Sequence, residues 1–180
     1  MGTDQVILVN EKDEQIGLME KIEAHEKALL HRAFSVFVFN KKGELMLQQR
    51  ALTKYHTPGQ WTNTCCSHQR EGETNIEAGK RRLMAEMGFT TDLKDTISFI
   101  YKAPFENGLT EHEYDHILVG QYDEDYDNKG KHVHLVSNYE SWSYHHSEKQ
   151  KLYQKLYKLF PDISIDDMEK VANQQPLKKK

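Results

Sequence analysis

Cys66 and His68 stand two residues apart in the run Thr62-Asn63-Thr64-Cys65-Cys66-Ser67-His68, shortly after a Pro58-Gly59 turn. In an extended segment alternate side chains share a face, so Thr64, Cys66 and His68 fall together and Asn63, Cys65 and Ser67 fall opposite. A thiol and an imidazole on one face can share a pocket, although a lone Cys-x-His is more often a packed strand. A second pair lies at Glu111 and Glu113, at the start of another strand. Two carboxylates so placed repel and raise one another's pKa unless a cation sits between them. A solvated acidic strand is the plain alternative. The chain also holds ten histidines. His25, His31 and His68 with the two glutamates would give three nitrogens and two carboxylates, a set suited to zinc, manganese or magnesium. On spacing alone His112, His116, His132, His134, His145 and His146 are equally available.

These residues need elements to hold them. Residues 6–9 and 16–19 read as a hairpin about a polar turn. Residues 21–31 are charged, with no clean helical stripe, and a continuous helix would set His25 and His31 about 240° apart. If both reach one point, the segment must bend between them. Residues 34–39 give the strongest strand signal, and 45–50 follow as a hairpin partner. A basic loop with Lys54 leads into the Cys66 strand. Residues 74–87 read as a helix, capped by Thr74 with Glu77 and stopped by Gly88. Strands at 97–101, 113–122 and 132–136 come next, with an acidic loop at 123–127. Helices at 147–160 and after Ser164 close the chain before a frayed Lys178-Lys179-Lys180 end. The mixture predicts one layered α/β domain over residues 1–180.

Acidic residues outnumber basic ones 28 to 24, for a net charge of -4, which argues against nucleic acid as the main partner. No run resembles a signal peptide or reaches the ~20 apolar residues of a membrane span. The two cysteines are adjacent, a poor geometry for a disulfide, so free thiols in a reducing cytoplasm are expected.

From Ser67 to Gly88 the chain carries Glu73, then seven residues, then Arg81-Arg82-Leu83-Met84-Ala85-Glu86-Met87-Gly88. This resembles the Nudix box, whose glutamates hold magnesium against a diphosphate. Ser67 replaces its first Gly, and Arg82 and Ala85 replace two of its Glu residues; Glu73 and Glu86 remain. Fewer carboxylates hold fewer metal ions, which disfavours ordinary diphosphate hydrolysis. With Arg50-Ala51-Leu52-Thr53-Lys54 and Trp61 to His68 ahead of the box and Glu111-x-Glu113 behind it, the chain resembles the type 1 isopentenyl-diphosphate isomerases. The likeness is clearest over residues 6–121, and 122–180 diverge.

The resemblance implies a Nudix-like α/β/α sandwich with a mixed sheet, and interconversion of isopentenyl and dimethylallyl diphosphate through a tertiary carbocation. It implies Cys66 and Glu113 as acid/base partners, assisted by Tyr101. It assigns one divalent ion (Mn2+, Zn2+ or Mg2+) to His25, His31, His68, Glu111 and Glu113. A Mg2+ ion falls to Glu86 with the diphosphate, whose other contacts are Lys21, Arg50, Lys54 and Arg82. Trp61 is available to line a dry aromatic pocket, since ring faces attract positive charge. An unperturbed thiol has a pKa of ~8.5, so Cys66 can carry a proton at neutral pH. The family's C-terminal Trp motif is absent, leaving Trp142, Tyr144 or impaired activity. A Nudix hydrolase of a nucleoside diphosphate derivative and an inactive diphosphate-binding relative are the other readings. The oligomeric state is open.

Overall fold

In the computed structural model a long strand, β3 (His31–Phe39), forms the spine of a mixed sheet that has nine strands among the described residues. The structure describes residues 4–41, 43, 45–49, 61–105, 107–122 and 133–136, with backbone alone at Gln49, Trp61 and 133–136. Arg50, Lys54, Trp142, Tyr144, the acidic loop and the expected C-terminal helices lie outside the described residues.

The first hairpin forms as expected, from β1 (Gln5–Val9) and β2 (Gln15–Glu20). A short helix follows, α1 (Lys21–Glu26), capped by the Glu20 carboxylate on Glu23 N at 2.9 Å. It stops where Ala28 takes a left-handed φ of 51°, and the chain then turns into β3. This supplies the bend that two histidines six residues apart require.

Along one edge β3 pairs parallel with β8 (Thr110–Gln121) over nine positions. β8 in turn pairs with β7 (Leu93–Pro104); β7 runs beyond both of its expected ends and β8 starts three residues early. The extra length is mostly polar, at Lys94, Asp95, Thr96, Lys102 and residues 110–112, so an apolar pattern does not reveal it. On the other edge β3 meets β1 at Leu8↔His31 and β6 (Cys65–Ser67) at Val36↔Cys65, Ser35↔Cys66 and Phe34↔Ser67.

One expectation is refined here and another corrected. β4 (Leu45–Gln49) does follow β3 as its antiparallel hairpin partner, but among the described residues the two pair only at Phe39↔Leu45, and β4 pairs otherwise with β5 (Trp61–Thr62) and β9 (Val133–Val136). The run from Thr62 to His68 is not one strand, because it breaks at Asn63 and Thr64. Both side chains bond to neighbouring backbone: Asn63 donates to Val36 O (3.1 Å) and Cys65 O (2.8 Å), and Thr64 Oγ1 accepts from Val38 N (2.9 Å) and donates to Met46 O (2.7 Å). Thr64 thus bridges the gap where β3 and β4 diverge, rather than sharing a face with Cys66.

Helix α2 (Asn75–Met87) carries the expected capping box and ends at Gly88, φ 79°, whose N–H returns to Leu83 O and Met84 O. It packs Ala78, Leu83 and Met87 against Phe34, Val36, Val38, Cys65 and Leu118. Each large apolar side chain so buried contributes roughly 1.5–3 kcal/mol. Gly79 lets the helix approach closely, since a Cβ there would lie 2.7 Å from Leu118 Cδ1. One sheet face is therefore committed to core. Among the described residues no helix is long and apolar enough to cross a membrane.

Candidate active site

Directly opposed residues of a sheet share a face, so the register identifies what lines the face away from α2. Glu113 opposes both His31 and Tyr101, Glu111 opposes Ala103, and Cys66 opposes Ser35. Positions 31 and 35 of β3 have the same parity, so Cys66, His31, Glu111, Glu113 and Tyr101 stand on one side. Cys65 opposes Val36 and lies in the core, fully buried, where burial pushes its thiol pKa far up. The sequence-based separation of the two thiols holds.

The three histidines meet. Their ring centroids lie 4.7 Å (His25–His31), 5.1 Å (His31–His68) and 5.6 Å (His25–His68) apart. Ligand atoms of His25, His31, His68 and Glu113 all lie within 4.8 Å of one another. His25 Nδ1 bonds to Lys21 O (2.6 Å) and His31 Nδ1 to Leu29 O (2.8 Å), which leaves each Nε2 facing inward. His31 Nε2 and His68 Nε2 are buried with no hydrogen-bond partner, although Glu113 Oε1 sits 3.9 and 3.3 Å from them. Burial, with His68 nearby, lowers the His31 pKa to about 3 against the pull of Glu113. Burial also lowers that of His68. Neutral imidazoles with unsatisfied inward nitrogens beside a carboxylate are what a divalent cation requires. The residues fit such an ion.

Glu111, expected as the fifth ligand, is not in the four-residue group. It joins through Tyr101, whose hydroxyl bonds to Glu111 Oε2 at 2.8 Å and also to Glu113 Oε2. One hydroxyl proton serves one carboxylate, and the second contact is closed by a proton on the other carboxyl or by a cation beside it. His112, equally available on sequence grounds, instead bonds Ala28 O at 2.8 Å and pins the turn between His25 and His31. His116 lies between Asp13 and Asp95.

The weakened Nudix element has a defined geometry. Arg81 donates to both Glu73 oxygens (2.6 and 2.7 Å), and Glu73 also accepts from Arg70 N (2.8 Å). This lowers the Glu73 pKa, through Arg81 first. Arg81 further donates to His68 O at 3.3 Å. Glu73 is thus consumed in holding the loop that carries His68. Glu86 pairs with Arg82, whose Nε is buried with no hydrogen-bond partner and suits an incoming oxyanion. Lys21 opens α1, and its charge acts on His68. For Trp61 only the β5 backbone is described. Sequence reasoning missed Ser35 and Asp115, fully buried and joined at 3.0 Å. Asp115 continues the alternation of Glu111 and Glu113, which was the available signal.

A mixed sheet packed on a capped loop-helix-loop, with a metal-competent cluster on its other face, is the architecture of a Nudix domain. The NUDIX domain family matches residues 29–163. The chain is 51% identical over 120 residues to isopentenyl-diphosphate Delta-isomerase 2 of Aromatoleum aromaticum, covering 67% of this chain and 64% of that one. It is 46% identical over 141 residues to the isopentenyl-diphosphate Delta-isomerase of Serratia proteamaculans, covering 78% and 75%. The chain thus spans just under two thirds of the first relative's length and three quarters of the second's. The crystal structure of DR0079 from Deinococcus radiodurans superposes with a TM-score of 0.56 at 18% identity, covering 95% of this chain and 98% of that one, a likeness of fold alone. The chain belongs to the type 1 isopentenyl-diphosphate Delta-isomerases of the Nudix superfamily.

Proposed function

We propose that this chain interconverts isopentenyl diphosphate and dimethylallyl diphosphate, with Cys66 and Glu113 as the two groups that exchange protons with the substrate. The supporting observation is their placement. They share the face opposite α2, on the two strands flanking β3, four positions apart along it. That offset is about 13 Å along β3, with two inter-strand spacings of about 4.8 Å across it, so the two groups would flank the five-carbon chain from opposite sides. A proton added to the terminal alkene carbon leaves a tertiary cation, and a proton lost from the carbon on the diphosphate side completes the shift. One group gives the first proton and the other takes the second, with roles exchanged in the reverse direction. Tyr101, 7% exposed and bonded to Glu111 and Glu113, holds the carboxyl group and passes its proton.

A divalent ion held by His25, His31, His68 and Glu113, with Glu111 adjoining through Tyr101, would supply the positive charge that lets two carboxylates share this corner. Zinc, manganese and magnesium all suit the donors. Glu86 would hold Mg2+ with the diphosphate, and Lys21, Arg50, Lys54 and Arg82 would complement its charge. Trp61 would face the cation. The adjacent free thiols, Cys65 and Cys66, suit the cytoplasm.

The test is a product assay with isopentenyl diphosphate and Mg2+ plus Mn2+. The expected product is an allylic diphosphate, recognised by its lability to mild acid, with free phosphate at background. Phosphate release without an acid-labile product would instead indicate a hydrolase.

A further inference from the structure

Gln69 follows His68 directly and is 1% exposed, yet the reaction does not use it. A buried carboxamide costs about 1–3 kcal/mol unless bonded, so its partners matter. Its NH2 donates to Asn75 Oδ1 at 2.7 Å and to Ala33 O at 3.5 Å, while Oε1 is buried with no hydrogen-bond partner. Gln69 is therefore held by its NH2 group alone. The contacts tie the residue after His68 to β3 on one side and to the first turn of α2 on the other.

The orientation of that amide is dictated from further away. Asn75 donates its own NH2 to Asp95 Oδ2 at 2.7 Å. An ionised carboxylate only accepts, so Asn75 must turn its oxygen toward Gln69, and Gln69 must answer with NH2. Asp95 reaches this side because of a bulge in β7. Ile97 opposes Ile117, but Asp95 opposes Leu118, which moves Asp95 onto the α2 face. There its Oδ2 also lies 3.3 Å from His116 Nδ1, and His116 Nε2 lies 3.0 Å from Asp13 Oδ2. Carboxylates at both ring nitrogens call for an imidazolium, because a neutral ring would turn a lone pair toward one of them. Burial opposes that charge, but the Asp95 and Asp13 carboxylates raise the His116 pKa. Asp13 is fixed in turn by Arg32 Nε at 2.7 Å.

We propose that Gln69 is a positioning residue for His68, and that the chain Asp13–His116–Asp95–Asn75–Gln69 sets its direction from the far side of the sheet. The proposal rests on the reading of His68 as a metal ligand. Its physical content is one of constraint. His68 follows β6 and is not itself within a strand, so the backbone that aims it is fixed by its neighbours. Arg81 holds the carbonyl of His68, and Gln69 holds the next residue. Without the Gln69 bonds the imidazole samples other directions, and the cluster must be assembled at the moment of binding. Outer partners of this kind typically cost 10–100-fold in metal affinity when lost.

The test uses the full metal-free chain and Co2+ alone, whose absorption reports ligation. Affinity is measured for wild type, Gln69→Leu, Asn75→Ala and the double variant, with thermal midpoints alongside and His68→Ala as reference. Asn75 sits at the helix start and is half-buried, so Asn75→Ala keeps the fold if Gln69→Leu does not. Each single variant is expected to weaken Co2+ by about tenfold or more. The double variant is expected to be no weaker than the worse single, since both act through one bond. In the metal-loaded chain kcat falls while KM for the diphosphate holds. Wild-type Co2+ affinity in a folded Asn75→Ala variant, or losses that simply add in the double, would overturn the proposal. If His68→Ala binds Co2+ as well as wild type, the ligand reading itself fails and takes the proposal with it.

Discussion

Replacing Cys66 with Ala is expected to lower interconversion by about 10³-fold or more, the scale of a lost acid/base group, while substrate binding survives. Binding survives because the diphosphate would be met elsewhere, at Arg82 with Glu86 on α2 and at Lys21 on α1, whereas Cys66 stands on β6. The neighbouring thiol is the control. Cys65 opposes Val36, is fully buried and packs with Phe34, Leu83 and Leu118. Cys65→Ala should cost about 1 kcal/mol of stability and leave turnover close to wild type. Steady-state kinetics with equilibrium binding of the substrate check both. Glu113→Gln should be equally inactive, but less cleanly, since Glu113 also belongs to the metal group. Near-normal turnover in Cys66→Ala would remove the thiol from the mechanism.

The second large effect is loss of the metal. Dialysis against a chelator is expected to abolish activity, and a divalent ion added back should restore it. His68→Ala should weaken binding beyond the 10–100-fold typical of an outer partner, and activity should fall in parallel. The reason lies in the protein rather than the ion. His31 Nε2 and His68 Nε2 are buried with no hydrogen-bond partner, so the apo cluster leaves polar atoms unsatisfied. Metal titration against activity reads this directly. Full activity in the chelated chain would contradict it.

Much of this site was legible in the sequence because strand periodicity carries chemistry to one face. Alternation and resemblance placed Cys66, Glu111 and Glu113 together, and the register sets their positions on one face of the sheet. The bend between His25 and His31 followed from helix geometry, and Ala28 provides it. Other features depended on partners distant in sequence. No spacing rule says that Thr64 leaves the strand to bridge Val38 and Met46, or that β4 turns from β3 to β9. The sorting of histidines was equally tertiary. His112 looks as good a ligand as His68 until its bond to Ala28 O is seen. Glu73, one of the two box glutamates that remain, had no role assigned from the sequence, and its part as the partner of Arg81 that steadies the His68 loop is seen only in the fold.

The central claim is that carbon atoms of the substrate exchange protons with this face of the sheet. It is tested most directly by incubating the metal-loaded chain with isopentenyl diphosphate in heavy water and following the products by NMR. The account predicts dimethylallyl diphosphate with deuterium in a methyl group, formed by wild type and by Cys65→Ala and lost in Cys66→Ala. Substrate that returns without deuterium, or is consumed with release of phosphate, would contradict it.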